Sequence, residues 1–149
     1  MTATLRPARS TDAGATGDIL ARFQADTGWM PKLYSGAETI AHCGAMIDRG
    51  WVTVAVSDGV VAGFIARDGD EICALYVARR VYGQKVGQAL LADACARRDR
   101  LWLRVFQANS GARRFYRRAG FTETGRGEGG DNAEGLPDIV LAWQKEGTT

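Results

Sequence analysis

The sequence predicts one mixed α+β domain of the α/β class over residues 1–149, with a central, mostly antiparallel twisted sheet flanked by about four helices. Between residues 51 and 77, three alternating, β-branched segments are separated by two Asp-Gly pairs, which is typical of an antiparallel meander. Apolar residues with helical spacing occur on both sides of this meander. A chain of 149 residues is long enough to bury one core of its own.

The elements are predicted in the order β-α-α-β-β-β-α-β-α-β-β. The strands cover residues 4–7, 51–56, 60–67, 71–77, 101–106, 121–125 and 138–143, and the helices cover 10–24, about 36–49, a segment ending near 98, and 110–119. Residues 10–12 are expected to cap the first helix, whose first turn is weakened by two glycines. Ser35 and Glu38 have the spacing of a capping box, and Gly120 is placed to end the last helix. Residues 125–137, glycine-rich and acidic, are predicted to form a long mobile loop.

Composition and charge argue against several classes of protein. The net charge of +2, from 19 basic and 17 acidic residues, gives no general reason to expect nucleic acid as a partner. No apolar run approaches the roughly 18 residues of a membrane span, and no signal peptide is recognised, so we expect a cytoplasmic protein without a membrane partner. Cys43, Cys73 and Cys95 are widely spaced and form no CxxC motif, so we interpret them as core residues and expect no metal site.

The segment after the third meander strand carries the first candidate site. Gly83 and Gly87 flank a polar turn that leads into a helix, where free backbone amides and the positive end of the helix can bind an anion. Lys85, with Arg79 and Arg80 upstream, adds positive charge. The alternative is a capped loop that binds nothing.

Two blocks, ICALYVARRVYGQKVGQALLADA and LRVFQANSGARRFYRRAGF, closely resemble the coenzyme-A-binding core of the GCN5-related N-acetyltransferase (GNAT) family. The resemblance covers about Val52 to Phe121, and the opening LRPARSTD is similar to the first strand and turn of that family. The turn of residues 82–87 matches the family pattern Q/R-x-x-G-x-G/A with two departures, because Tyr82 replaces Gln or Arg and Lys85 replaces the first glycine. Residues 109–121 match the pattern N-x-x-A-x-x-F/L-Y-x-x-x-G-F without a gap.

This resemblance implies an N-acetyltransferase that transfers an acetyl group from acetyl-CoA, its cosubstrate, directly to a primary amine. The implied cofactor-binding residues are Leu75, Tyr76, Val77, Tyr82, Gly83, Gln84, Lys85, Val86, Gly87, Gln88, Asn109, Phe115 and Tyr116. The resemblance also implies that the strand ending at Val77 splays from the strand of residues 101–106, and that the Val77 amide polarises the thioester carbonyl. The Tyr116 hydroxyl would protonate the leaving thiolate, or the ring could be a core residue only.

The helices of about 10–49 and the late acidic loop are expected to bind the acceptor. Between them in the sequence lies the coenzyme-binding core of about 51–121, and the C-terminal strands with the acidic loop cover about 121–143. Glu71 is the candidate general base, because an amine with a pKa near 10.4 must lose a proton before it attacks. Trp29 and Tyr34 are candidate substrate-binding residues, with capping of the core as the alternative. His42 is expected on a helix flank. The acidic residues of the late loop favour a small cationic molecule or a peptide end: Glu128, Asp131, Glu134 and Asp138.

Two other functions fit parts of the sequence. A non-catalytic acyl-CoA-binding or sensing module is supported by the departures at Tyr82 and Lys85. Nucleic-acid binding through the arginines of residues 113–118 is disfavoured, because Phe115 and Tyr116 occupy the apolar face of that helix, and some of these arginines could meet the 3′-phosphate of coenzyme A. A homodimer could form if the strand of residues 138–143 pairs across a two-fold axis.

Overall fold

The predicted order of elements is the observed one. The computed structural model describes residues 3–147, so the two residues at each end of the predicted domain lie outside the described part. Within it, the strands are β1 (Thr4–Pro7), β2 (Val52–Ser57), β3 (Val60–Asp68), β4 (Glu71–Val77), β5 (Arg100–Phe106), β6 (Thr122–Gly127) and β7 (Asp138–Gln144). The α-helices are α1 (Ala13–Asp26), α2 (Gly36–Asp48), α3 (Val86–Arg97) and α4 (Ser110–Arg118), and two 3₁₀ turns cover Ser10–Asp12 and Arg79–Val81.

The strands form one sheet with the order β1-β2-β3-β4-β5-β7-β6. Strands β1 to β4 are antiparallel neighbours, and the turn between β2 and β3 has positive φ at both Asp58 (55°) and Gly59 (76°), as a two-residue type I′ hairpin requires. β4 and β5 are parallel and pair only at Glu71 and Trp102. The two strands therefore diverge toward their carboxyl ends, which confirms the predicted splay.

The position of β7 corrects one expectation. β7 is hydrogen-bonded to β5 along one side and to β6 along the other, so it is an interior strand. The proposal that residues 138–143 pair across a dimer is wrong, because both backbone edges of this strand are already used. The edge strands of the sheet are β1 and β6.

Helices cover both faces of the sheet. On one face, α1 and α2 contribute Ile19, Leu20, Cys43 and Met46 to a core that includes Phe64 of β3. On the opposite face, Leu90 and Leu91 of α3 pack with Tyr116 of α4 and with Phe121. The expectation of core packing fails for Cys73, which is exposed at a bulge of β4: Ala66 pairs with Ala74 and Arg67 with Ile72, so Cys73 has no partner on β3.

The first helix begins later than predicted. Residues 10–12 form the 3₁₀ turn, and the Asp12 carboxylate is bound by the Arg6 guanidinium at 2.7 and 3.1 Å and by the Arg9 amide at 2.8 Å. These hydrogen bonds join β1 to the start of α1 and lower the pKa of Asp12. Gly17 permits a close crossing of α1 and α2, because a Cβ there would lie 2.7 Å from the Ile40 Cα.

The connection from β6 to β7 is shorter than the predicted mobile loop, and hydrogen bonds hold it in place. β6 extends to Gly127. The side chain of Asn132 donates to the Leu136 carbonyl at 2.8 Å and accepts from the Leu136 amide at 3.2 Å. The Gln107 amide, just past β5, donates to the Pro137 carbonyl at 2.9 Å. These bonds hold the acidic segment at the carboxyl end of β5.

No helix within residues 3–147 combines the length and apolar character that are needed to cross a membrane. Over the same residues, no group of three or more His, Cys, Asp or Glu side chains is arranged to hold a metal ion.

Candidate functional site

The turn between β4 and α3 presents backbone amides at the start of a helix. The first helical hydrogen bond of α3 joins the Ala89 amide to the Lys85 carbonyl at 3.1 Å, so the amides of residues 86–88 have no backbone partner within the described chain. Lys85 is the N-cap residue and has a left-handed backbone, with φ 66° and ψ 23°. Lys85 therefore keeps the backbone conformation that glycine adopts most easily, although it carries a side chain.

A groove with a volume of about 560 Å³ runs from this turn to Tyr116. The predicted cofactor-binding residues that line it are Leu75, Val77, Tyr82, Gly83, Lys85, Val86, Gly87, Gln88, Phe115 and Tyr116. Sequence reasoning did not assign Val81, Gly111 or Ala112 to this groove, although they also line it. Gly111 precedes Phe115 by one helical turn, and this spacing is the signal that could have identified it.

The other predicted cofactor-binding residues lie elsewhere. Tyr76 and Asn109 line a smaller cavity of about 100 Å³ between β4 and β5, which opens toward α1. The Asn109 side chain also caps α4 by accepting a hydrogen bond from the Ala112 amide at 3.1 Å. Gln84 is exposed in the turn and lines neither cavity.

Tyr116 lines both cavities and so lies where they meet. Its side chain is only 7% exposed, and its ring packs edge-on against Phe115 at 5.1 Å and Phe121 at 5.3 Å. Burial, with a further contribution from Tyr76, raises the pKa of Tyr116 well above its usual range. The hydroxyl therefore stays protonated at neutral pH, which is the form that can donate a proton to a leaving thiolate.

The amide of Val77 is directed into the gap between β4 and β5. The neighbouring Ala78 amide donates to the Ala62 carbonyl on the β3 side at 2.7 Å. Successive residues of a strand direct their amides to opposite sides, so the Val77 N–H points toward β5. Because β5 is not paired with β4 at this level, the amide meets the groove instead of a neighbouring strand.

The structure does not bring Glu71 into the site. Glu71 lies at the paired end of β4, opposite Trp102, and lines neither the groove nor the smaller cavity. Val77 lies six positions further along the strand, which corresponds to about 20 Å at roughly 3.3 Å per residue. Glu71 therefore lies outside the candidate site, because the Glu71 carboxylate and the Val77 amide stand at opposite ends of β4.

Of the two predicted acceptor-binding residues, only Trp29 lies near a cavity of the site. Trp29 is partly buried, with its ring edge-on to Phe106 of β5 at 5.7 Å, next to the smaller cavity. Tyr34 is 48% exposed and lines neither cavity. His42 is exposed on α2, as a helix-flank residue should be.

The arginines of α4 lie beside the groove, not over an aromatic surface. Arg114 and Arg118 line a third cavity of about 380 Å³ between α3 and α4, which shares Gln88 and Phe115 with the groove. Because Tyr116 is buried, its ring is not available for stacking on a base. Arg114 and Arg118 therefore place positive charge beside the groove.

These features fit a coenzyme A thioester on structural grounds. The groove is open, the α3 amides are free to bind a diphosphate, and the β4 edge has unpaired backbone groups along the gap. Tyr116 lies at the end of the groove where a thioester would have to meet an acceptor arriving from the α1 side.

Comparisons with known proteins agree with this architecture. Two curated proteins, the peptidyl-lysine N-acetyltransferases YjaB of Salmonella typhimurium and of Escherichia coli, are each 34% identical over 93 residues, which is 62% of this chain. The aligned part spans 63% of those relatives, a little under two thirds of their length.

Solved structures are similar over nearly the whole chain. The solution structure of apo-form YjaB from Escherichia coli matches with a TM-score of 0.82 and 26% identity, covering 97% of this chain and 99% of that one. The structure of the putative acetyltransferase yncA from Salmonella typhimurium with acetyl-CoA has a TM-score of 0.73 and 20% identity, covering 100% and 97% of the two chains. At that identity the second likeness concerns the fold alone.

The family comparison concerns the same core that the site occupies. The model of the acetyltransferase (GNAT) domain matches residues 48–123, which include β4, the turn, α3, β5 and α4. This is half of the chain, and it contains Val77, the turn of residues 82–87 and Tyr116. The chain therefore belongs to the GNAT family of acetyltransferases.

Proposed function

We propose that this protein is an N-acetyltransferase that transfers an acetyl group from acetyl-CoA directly to a primary amine of a cationic acceptor. The observation that carries the proposal is the divergence of β4 and β5, which leaves a groove connecting the α3 amides to Tyr116. Family membership supports the same reaction class.

Each part of the groove has a role in this proposal. The amides of residues 86–88, with Lys85, would bind the diphosphate of the coenzyme, and Arg114 and Arg118 would meet its 3′-phosphate. When bound, the thioester supplies an activated acetyl group. The Val77 N–H would donate a hydrogen bond to the carbonyl oxygen, where negative charge develops during attack. The Tyr116 hydroxyl would donate a proton to the departing sulfur.

The acceptor is proposed to be a lysine side chain of a polypeptide or another small cationic amine. The curated relatives YjaB are named peptidyl-lysine N-acetyltransferases, which supports a polypeptide acceptor for this chain as well. The acidic segment of residues 128–138 lies at the carboxyl end of β5 and favours a positively charged partner. With Glu71 outside the site, we expect the amine to lose its proton to solvent before it attacks the thioester.

The first test is thermal unfolding of the purified protein with acetyl-CoA, free CoA and ATP added separately. A ligand at about 100 times its dissociation constant adds roughly 2.7 kcal/mol to the free energy of unfolding. For a chain of this size, that corresponds to a rise in Tm on the order of 5–10 °C. We expect this rise with both CoA species and little change with ATP. No rise at millimolar acetyl-CoA would contradict the proposed function.

A second measurement separates the enzyme from a non-catalytic acyl-CoA-binding module. CoA release from acetyl-CoA is followed with and without a lysine-containing peptide. Release that depends on the peptide supports the transferase. Binding of acetyl-CoA with no amine-dependent release would favour the binding module.

A further inference from the structure

The smaller cavity between β4 and β5 has aromatic rings on two sides. On the β4 side, Tyr76 packs against Phe23 of α1 with ring centroids 5.0 Å apart. On the β5 side, Phe106 is held by Trp29, whose ring meets it edge-on at 5.7 Å. We call the cavity between these pairs the acceptor passage, and it is lined by Phe23, Met30, Tyr76, Phe106, Asn109 and Tyr116, among others.

The passage is narrow and leads to the reacting end of the groove. Its volume is about 100 Å³, against about 560 Å³ for the groove. Tyr76 stands on β4 and Phe106 on β5, and both side chains line this cavity between the diverging strands. Tyr116 closes the inner end, since it lines both cavities. An amine that takes this passage to Tyr116 from the α1 side therefore meets Tyr76 on the β4 wall and Phe106 on the β5 wall.

A carboxylate lies near the outer end of the passage. Asp138 at the start of β7 is paired with Phe106, so the segment that precedes β7 runs beside the β5 wall. In that segment, Glu134 is partly buried, and its negative charge adds to burial in raising the pKa of Tyr76 to about 12. Glu134 forms no salt bridge with a basic side chain of residues 3–147. Its charge is therefore available to a cationic ligand.

We propose that the acceptor passage selects an unbranched alkylammonium chain, the side chain of lysine, over the α-amine of a polypeptide. The proposal rests on the proposed function and names the residues that decide its acceptor. An α-amine stands on a carbon that already carries a side chain and the backbone, so a branched group would have to enter between the rings. The lysine amine stands on four unbranched methylenes, which can pack along apolar walls while the ammonium group meets aromatic faces.

The first experiment uses two peptides of one sequence. In the first, the amino terminus is acetylated and one lysine is free. In the second, the amino terminus is free and the lysine is replaced by norleucine. We expect kcat/KM for CoA release to favour the lysine peptide by at least about tenfold, in line with what a shaped apolar pocket can discriminate. Equal values, or a preference for the α-amine, would overturn the proposal.

Variants of the wall residues identify the origin of the preference. Phe106→Leu shortens the β5 wall and should lower the ratio of kcat/KM for the two peptides several-fold. Trp102→Leu is the matched control, because Trp102 lies on the same face of β5 at the paired end, away from the passage. The proposal fails if both variants leave the ratio unchanged, or if both change it equally.

Glu134 is tested by binding as well as by rate. Glu134→Gln should weaken binding of the lysine peptide several-fold, measured by tryptophan fluorescence without acetyl-CoA, and should raise KM with little change in kcat. Glu146→Gln removes the same charge from an exposed position beyond β7, outside the acidic segment, and should leave both quantities unchanged. Equal effects of the two variants would overturn the role of Glu134.

The outcomes also separate this proposal from the one on which it rests. Acetyl-CoA that binds and yields CoA with both peptides at equal rates overturns the passage but retains the acetyltransferase. Failure of acetyl-CoA to bind overturns both.

Discussion

Tyr116 lines both the groove and the acceptor passage, and Tyr116→Phe removes only its hydroxyl group. The ring contacts with Phe115 and Phe121 are kept, so the variant should fold and should still be stabilised by acetyl-CoA. Loss of a positioned general acid should lower kcat by about 10²–10⁴-fold. The measurement is amine-dependent CoA release at saturating acetyl-CoA. A kcat within twofold of the unaltered protein would mean that Tyr116 is a core residue only.

Lys85 combines a left-handed backbone with a charge at the mouth of the groove. Two substitutions separate these properties. Lys85→Gly relieves a backbone cost of about 1 kcal/mol and should raise the free energy of unfolding by up to that amount. Lys85→Ala keeps the strained backbone and removes the ammonium group, so it should lower the affinity for acetyl-CoA without stabilising the free protein.

The test for Lys85 is urea unfolding of both variants, with acetyl-CoA titrations at low and high salt. If the ammonium group meets the diphosphate, the salt dependence of binding should be smaller in both variants than in the unaltered protein. A glycine variant that is less stable than the alanine variant would contradict the assignment of strain to this residue.

At the scale of elements, the seating of α3 on the sheet depends on Gly63 of β3. A Cβ at this position would lie 3.0 Å from the Tyr76 carbonyl oxygen, 3.3 Å from Val86 Cγ1 and 3.4 Å from Leu90 Cδ1. Gly63→Ala must therefore shift the Tyr76 carbonyl or the α3 side chains Val86 and Leu90 by a few tenths of an ångström. We expect a loss of about 1–3 kcal/mol in the free energy of unfolding, together with weaker acetyl-CoA binding.

The matched control for Gly63 is Gly125→Ala on the edge strand β6. There a Cβ would meet Val140 at 3.8 Å, an ordinary contact distance. Urea unfolding should show little change for this variant. If Gly63→Ala proved as stable as Gly125→Ala, α3 would have to be less tightly seated than the geometry indicates.

Local sequence patterns account for the elements that were predicted correctly. The Ser35–Glu38 capping box is present in both directions, and Gly120 has φ 97° after α4, because each depends on residues a few positions apart. The resemblance of residues 109–121 to the family motif implied that Tyr116 belongs to the cofactor site, and Tyr116 lines the groove. Contacts between distant residues were not predictable in this way. The insertion of β7 between β5 and β6, the contact of Trp29 with Phe106, and the close approaches at Gly17 and Gly63 depend on tertiary packing.

Glu71 shows what the pattern did not reveal. It lies at the start of the third meander strand, as predicted, whereas the groove is lined by residues near the other end of that strand. A sequence gives the order of residues along a strand but does not say where a neighbouring strand diverges. That point was visible only in the pairing of β4 with β5.

For the whole molecule, buried Tyr116 and partly buried Tyr76 should make the protein sensitive to alkaline pH. Burial, and then the Glu134 charge, raise the pKa of Tyr76 to about 12, and burial raises that of Tyr116 further. In the unfolded chain both hydroxyls titrate near 10. Above about pH 10 the unfolded chain therefore releases protons that the folded protein retains. The free energy of unfolding should fall as pH rises, with a slope that approaches about 1.4 kcal/mol per pH unit for each tyrosine.

This dependence can be measured by urea unfolding between pH 8 and pH 11, comparing the unaltered protein with Tyr76→Phe, Tyr116→Phe and the double variant. Other groups that titrate in this range contribute equally to all four proteins, so the differences between the slopes isolate the two hydroxyls. Each single variant should flatten the slope above about pH 10, and the double variant should flatten it most. Below about pH 9 the four curves should run parallel, because both hydroxyls are then protonated in the folded and the unfolded chain. Parallel curves up to pH 11 would show that the hydroxyls are not buried, and the site would then be more open to water than the contacts of Tyr116 indicate.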